Sequence, residues 1–113
     1  MRFVNIPLSK PDITEREIEA VVEVMRSGTL SIGPKLEEFE QAVAKVAGRQ
    51  HAVGVTNGTC GLHLAMLASG IGPGDQVITT PFSFVASANC ILFVGATPKF
   101  VDIDPRTLNL DLD

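Results

Sequence analysis

The chain has 113 residues, of which 45% are hydrophobic, 19% charged and 5% aromatic, and its formal net charge is −4. This length suits one compact domain, and the composition excludes a disordered chain, a collagen and a disulfide scaffold. The acidic balance argues against nucleic acid or an anionic membrane as the main partner, and no apolar run reaches the roughly 18 residues of a membrane span.

Two amphipathic helices are predicted in the first part of the chain. Thr14 followed by Glu17 is a capping-box pattern that begins the first helix, and Gly28 provides its C-terminal stop. After a loop at Thr29–Gly33, Pro34 suits the first position of the second helix, which Gly48 closes. The faces predicted to be buried comprise Ile18, Val21, Val22 and Met25 in the first helix, and Leu36, Phe39, Val43 and Val46 in the second.

Beyond residue 50 the pattern changes to alternating strands and helices. The predicted elements are a strand at His51–Thr56, a helix at Thr59–Ser69, a strand at Gln76–Thr80, a helix at Ser83–Val94 and a strand at Lys99–Ile103. Such alternation predicts an α/β fold with two N-terminal helices followed by β-α-β-α-β with parallel strands. Because the strands are apolar runs, both faces of the sheet are expected to be covered. We therefore divide the chain into a helical segment (1–50) and a βα segment (51–113).

Charge and cysteine usage add two expectations. From His51 to Pro98 the only formally charged residue is Asp75, which makes a poor exposed surface for a small domain. This stretch is predicted to be the interior of a larger protein or to be covered by a partner. Cys60 and Cys90 are predicted to be buried thiols without a bridge. Since the N-terminus lacks the features of a signal peptide, we expect a cytoplasmic protein.

The turn at residues 56–61 is the first candidate site. A turn from a strand into a helix presents free backbone N–H groups and the positive end of a helix dipole, which together favour a phosphate. Gly58 would permit close approach of the backbone, and the Thr59 hydroxyl could add a donor. The turn is neither a dinucleotide fingerprint nor a Walker A loop, and the alternative is an ordinary turn with Thr59 as the helix cap.

A second candidate follows the second predicted strand of the sheet, where ligands bind in open α/β folds. Phe82 or Phe84 could stack there on a planar cofactor, the alternative being that both are core residues. His63 and His51 are expected to have no catalytic role. Asp102 and Asp104 are expected to form local hydrogen bonds at an Asp-Pro turn rather than an acid–base pair. No metal-ligand cluster and no Ser/His/Asp set can be assembled.

Taken together, four spaced segments resemble the DegT/DnrJ/EryC1/StrS family of aminotransferases. They are Ser27–Pro34, Asn57–His63, Pro81–Asn89 and Gly95–Asp104. The resemblance implies the large domain of a fold-type I, pyridoxal 5'-phosphate-dependent transferase, present here in incomplete form. It also implies transfer of an amino group, typically from glutamate, to a keto sugar that is usually linked to a nucleotide, by a homodimeric enzyme.

The resemblance also implies roles for individual residues. Gly58, Thr59 and Cys60 match the positions that cradle the cofactor phosphate, and Phe84 matches the position that stacks on the pyridine ring. The positions that line the sugar site are matched by Leu8, Gly28, Thr29, Leu30, Ser31 and Gly58.

The same resemblance assigns no catalytic residue to this chain. The family's Schiff-base lysine, and the acid that pairs with the pyridine nitrogen, fall beyond residue 113. None of the four lysines (Lys10, Lys35, Lys45 and Lys99) matches that position, so the chain alone is expected to be inactive. Two alternatives remain: a family dehydratase in which histidine replaces the lysine, and a non-catalytic remnant that binds the cofactor or a partner.

Overall fold

The computed structural model describes residues 6–111, which form two compact units. The first unit extends to Gly54 and the second begins at Val55. The first contains α1 (Glu15–Ser27) and α2 (Pro34–Val46), and the second contains α3 (Gly58–Ala68), β1 (Gln76–Thr79), α4 (Ala86–Phe93) and β2 (Thr97–Phe100). The functional division predicted at residue 50 stays a prediction.

Helix α1 begins and ends where the sequence predicts. Thr14 is its N-cap, and the Glu17 carboxylate accepts hydrogen bonds from both the amide and the hydroxyl of Thr14. These contacts satisfy polar groups that an isolated helix end would leave to water. Gly28 follows the helix in the left-handed conformation, with φ of 75°, so the predicted capping box and stop are both confirmed.

Helix α2 has the predicted ends as well. Pro34 occupies its first turn. At the other end the Gly48 N–H donates to the Lys45 carbonyl (3.2 Å) and the Arg49 N–H to the Ala44 carbonyl (2.8 Å). Together with the positive φ of Gly48 (63°), these bonds form a Schellman motif, which satisfies the last carbonyls of the helix.

The predicted burial of the two helices is wrong for most of their apolar residues. No residue of α1 is buried, and Ala44 is the buried residue of α2. Phe39 is 58% exposed and Val46 90% exposed; Ile18, Val21, Met25 and Val43 are exposed too. An amphipathic stripe identifies the side of a helix that is apolar, whereas burial also requires an element that covers it.

Residues 51–56, predicted as a strand, form no strand in the described part of the chain. A strand exists only through hydrogen bonds to a neighbour, and β1 and β2 pair with each other rather than with this segment. The Gly54 N–H donates instead to the Glu40 side chain of α2, at 2.7 Å. This is a correction to the first strand of the predicted β-α-β-α-β series.

The second unit is built on a parallel β-α-β element, as predicted. β1 and β2 pair in register from Gln76 opposite Thr97 to Thr79 opposite Phe100, and α4 connects them. The core of this unit consists of Cys90, Ile91, Val94 and Ala96, against which Met66, Ile71 and Val77 pack. Ile78 and Phe100 are more than half exposed, so the expected coverage of both sheet faces is wrong for these strand residues.

The predicted bounds of α4 and β2 differ most from the structure. Helix α4 begins at Ala86 rather than at Ser83, because residues 81–83 form a bend and the first helical hydrogen bonds run from the Ser87 and Ala88 N–H groups to the Phe84 and Val85 carbonyls. Strand β2 runs from Thr97 to Phe100 rather than from Lys99 to Ile103, since its ladder with β1 begins at Gln76 opposite Thr97 and ends at Thr79 opposite Phe100.

Two further observations concern cysteines and membranes. Both cysteines are free; Cys90 is buried as predicted, whereas Cys60 is exposed, so its predicted burial is wrong. Within residues 6–111, no helix is long and apolar enough to cross a membrane.

Candidate functional site

The N-terminus of α3 has backbone donors available for an anion. Asn57 is the N-cap, and its side-chain oxygen accepts from the Cys60 N–H at 2.9 Å. The Gly61 N–H donates to the Asn57 carbonyl at 3.2 Å. Within the described residues, the N–H groups of Gly58 and Thr59 have no acceptor. The alternative in which Thr59 caps the helix is wrong, because Thr59 lies inside it.

The space beside Gly58 at this helix end is open. A Cβ added to Gly58 would meet nothing within 4 Å, so the space beside its amide is free for a ligand rather than filled by protein. The free N–H groups and the positive end of the helix dipole both favour an anion at this position. The geometry fits the phosphate cradle predicted from Gly58 and Thr59.

Cys60 differs from the other two predicted cradle residues. Its N–H is already bonded to Asn57, and its Sγ accepts a hydrogen bond from the Thr56 hydroxyl at 3.3 Å. It is not among the residues that line the cavity beside this helix end. A contact between Cys60 and the cofactor stays a prediction.

Phe84 forms another part of the same cavity, whose volume is about 670 Å³. The side chain of Phe84 is 77% exposed, so the alternative in which it is a core residue is wrong within the described chain; Phe82, at 62% exposure, is not core either. The full lining comprises Asn57, Gly58, Thr59, Gly61, Leu62, Phe84, Ala86 and Ser87. The structure therefore brings together a helix end with two free amides and an exposed aromatic ring.

Sequence reasoning missed Ser87 as a member of this cavity. No local sequence signal identifies it, because Phe84 precedes the first residue of α4 and helical spacing therefore does not relate the two positions.

His63, Asp102 and Asp104 make local contacts, and those of the two aspartates are as predicted. His63 packs edge-on against Phe93, with ring centroids 5.4 Å apart. Asp102 accepts from the adjacent Ile103 N–H at 2.8 Å. Asp104 accepts from the Arg106 N–H at 2.7 Å, and this bond, followed by that from the Arg106 guanidinium, lowers the pKa of Asp104.

The predicted sugar-site residues, apart from Gly58, lie in the first unit. Leu8 is exposed, and Gly28 ends α1. Thr29 and Leu30 line a separate cavity of about 330 Å³ that also includes Ile32 and Lys35. Ser31 is not part of that lining. Their role in binding a sugar stays a prediction.

The ammonium of Lys35, which lines that cavity, is paired with two carboxylates. Its ammonium donates to Glu38 at 3.0 Å and lies 3.6 Å from Glu23. The hydrogen bond to Glu38, followed by the charge of Glu23, raises the pKa of Lys35. Two carboxylates beside one ammonium leave this end of the cavity without a net positive charge.

Comparison with known proteins identifies the family. A model of the DegT/DnrJ/EryC1/StrS aminotransferase family matches residues 11–113. The chain belongs to this family. Its relatives include the spore coat polysaccharide biosynthesis protein SpsC of Bacillus subtilis, 51% identical over 106 residues, and the UDP-4-amino-4-deoxy-L-arabinose–oxoglutarate aminotransferase of Shewanella sediminis, 45% identical over 107 residues.

Solved structures of family members confirm the α/β, fold-type I assignment. Spr1654 of Streptococcus pneumoniae, assigned as a sugar aminotransferase, superimposes with a TM-score of 0.89 at 41% identity over 96% of this chain, and has been solved in PLP, PMP and apo forms. 3-Amino-5-hydroxybenzoic acid synthase superimposes with a TM-score of 0.84 at 35% identity over 91% of this chain.

This DegT/DnrJ/EryC1/StrS chain matches only a part of each relative. The matches cover 94% and 95% of this chain but 27% and 28% of SpsC and of the Shewanella enzyme. The two solved structures are covered to 27% each. The chain thus spans about a quarter of the length of these relatives.

Proposed function

We propose that the chain is the N-terminal portion of a pyridoxal 5'-phosphate-dependent aminotransferase that acts on a keto sugar. The observation that carries this proposal is the cavity of the second unit, where the free amides of Gly58 and Thr59 and the exposed ring of Phe84 occur together. A phosphorylated, planar cofactor requires both an anion site and an aromatic surface. The family membership supports the same cofactor.

Three residues of this cavity are proposed to contact the cofactor. The Gly58 and Thr59 N–H groups and the Thr59 hydroxyl would donate to the phosphate, and Phe84 would cover one face of the ring. When bound, pyridoxal phosphate supplies an aldehyde and an electron-withdrawing ring that together carry the amino group. Residues 51–98 contain no Lys or Arg, so the donors that this part of the chain would offer to the phosphate are neutral.

The substrate proposal is supported by the relatives rather than by contacts. One relative takes part in spore coat polysaccharide biosynthesis, and the other is named for a UDP-linked amino sugar and oxoglutarate. We therefore propose a nucleotide-linked keto sugar as acceptor and glutamate as donor. Leu8, Gly28–Ser31 and Gly58 are proposed to line the sugar site.

The lysine that would hold the cofactor is proposed to lie outside this chain. None of its four lysines lines the cavity of the second unit, and a lysine amine is needed both to hold the cofactor and to move the proton during transfer. The chain alone is accordingly proposed to be inactive, and the whole protein to be a cytoplasmic homodimer.

The deciding experiment is borohydride reduction of the protein isolated from its source, followed by intact and peptide mass measurement. A cofactor adduct on a lysine beyond residue 113, together with glutamate-dependent amination of a keto nucleotide sugar, is the expected result. Before reduction the protein is treated with excess oxoglutarate, because the pyridoxamine form of the cofactor has no imine to reduce. Pyridoxal phosphate bound without an adduct would then contradict the aminotransferase, and would favour a dehydratase if a keto-deoxy sugar is formed or a binding remnant if no product is formed.

A further inference from the structure

Ser87 is held firmly at the wall of the cavity in the second unit. Its N–H donates to the Phe84 carbonyl at 3.0 Å, and its own carbonyl accepts from the Cys90 Sγ at 3.3 Å. Cys90 is 2% exposed and belongs to the core. The backbone of Ser87 is therefore fixed both to the residue proposed to cover the cofactor ring and to the interior of the unit.

The hydroxyl of Ser87 is paired with that of Ser83. Their oxygen atoms lie 2.9 Å apart, and either can be the donor. Ser87 lines the cavity, whereas Ser83 does not. When Ser83 donates, the hydroxyl proton of Ser87 is free to donate to a ligand, because a hydroxyl is at once a donor and an acceptor.

The α3 end of the cavity supplies fewer donors than a phosphate can accept. It offers the N–H groups of Gly58 and Thr59 and the Thr59 hydroxyl, while the Asn57 side-chain oxygen is an acceptor engaged with Cys60. Between His51 and Pro98 there is no Lys or Arg. A further neutral donor on the facing helix would meet this need, and Ser87 is the hydroxyl of α4 that lines the cavity.

We propose that the Ser87 hydroxyl, oriented by Ser83, is an additional contact to the cofactor phosphate. This inference rests on the proposed function, because it requires pyridoxal phosphate in this cavity. Phosphate would thus be held between two helices: by the backbone amides of α3 and by a side chain of α4. Ser83 acts as a positioning residue that leaves the Ser87 proton directed to the ligand.

The test compares pyridoxal phosphate with pyridoxal, which lacks the phosphate, in the full-length protein that carries this chain. Dissociation constants are measured by titration of the cofactor's absorbance. Since a hydrogen bond to a charged group contributes about 1.5 kcal/mol or more, Ser87→Ala should raise the dissociation constant of pyridoxal phosphate about tenfold. The affinity for pyridoxal should stay unchanged.

Three further variants complete the design. Ser87→Thr keeps the hydroxyl and should restore the affinity for pyridoxal phosphate. Ser83→Ala should weaken it less than Ser87→Ala does. Ser69→Ala is the matched control, since the Ser69 hydroxyl bonds to the Ala65 carbonyl at the far end of α3 and should affect neither ligand.

The outcomes distinguish this inference from the proposed function. If the unsubstituted protein does not bind pyridoxal phosphate, both are overturned. If it binds and Ser87→Ala binds equally well, the phosphate contact is overturned and the proposed function stands. An equal loss of affinity for pyridoxal phosphate and pyridoxal would overturn the phosphate contact, because it would mean that Ser87 acts on the ring or on packing.

Discussion

Gly95→Ala should destabilise the protein more than Gly70→Ala, although the two glycines have the same place at a helix end. Gly95 follows α4 with φ of 77°, and Gly70 follows α3 with φ of 71°. Each donates its N–H three residues back, to Leu92 and Leu67 respectively, at 3.0 Å. Both helices therefore end in the Schellman motif, which requires a left-handed residue.

The surroundings of the two glycines separate their effects. An alanine in the left-handed conformation costs about 1–2 kcal/mol wherever it occurs. A Cβ at Gly95 would lie 3.1 Å from Cγ of Pro73 and 3.6 Å from its Cδ, whereas one at Gly70 would meet nothing within 4 Å. Because a proline ring cannot rotate away, the crowding should add about 1 kcal/mol at position 95.

Urea unfolding followed by circular dichroism measures both variants against the unsubstituted protein. We expect losses in unfolding free energy of about 1–2 kcal/mol for Gly70→Ala and about 2–3 kcal/mol for Gly95→Ala. Equal losses would refute the role of Pro73, and a negligible loss at both positions would refute the left-handed requirement itself.

Two further predictions concern the helix starts. Asn57→Ala removes the side-chain acceptor of the Cys60 N–H and should cost about 1 kcal/mol of unfolding free energy; Asn57→Asp, which keeps an acceptor, should cost much less, and equal costs would contradict the cap. The hydrogen bonds from the Thr14 hydroxyl and amide lower the pKa of Glu17. Glu17 therefore stabilises the fold above the ordinary carboxyl pKa, and this contribution is lost as the pH falls through the lower folded value. The difference in unfolding free energy between the protein and Glu17→Gln should accordingly shrink on acidification, and a difference independent of pH would contradict the assignment.

The ends of α1 depend on neighbouring residues and could be predicted from the sequence. Features that depend on distant parts of the chain could not. Thr14, Glu17 and Gly28 act on groups within a few residues, so the ends of α1 could be read from the sequence. Residues 51–56 have a strand's composition, but a strand needs a partner, and no described segment provides one. Phe39 lies on the predicted apolar face of α2 yet is exposed. The sequence of a helix identifies its apolar face but does not specify which element packs against that face.

The candidate site was partly predictable for the same reason. Gly58 and Thr59 could be assigned because the start of α3 follows from the turn that precedes it. Ser87 could not, since its place at the cavity depends on how the bend at residues 81–83 and the turn at Val85 lead the chain into α4 and on the packing of α4 beside α3. These features depend on tertiary contacts that local residue preferences do not encode.

The exposed leucines of α3 have a consequence for the solubility of this chain when it is made on its own. Leu62, Leu64 and Leu67 are 40%, 48% and 53% exposed, on a helix whose sequence contains no Asp, Glu, Lys or Arg. Apolar surface in contact with water favours association, because each Å² removed from water stabilises the associated state by about 25 cal/mol. The isolated chain should therefore associate increasingly as its concentration rises.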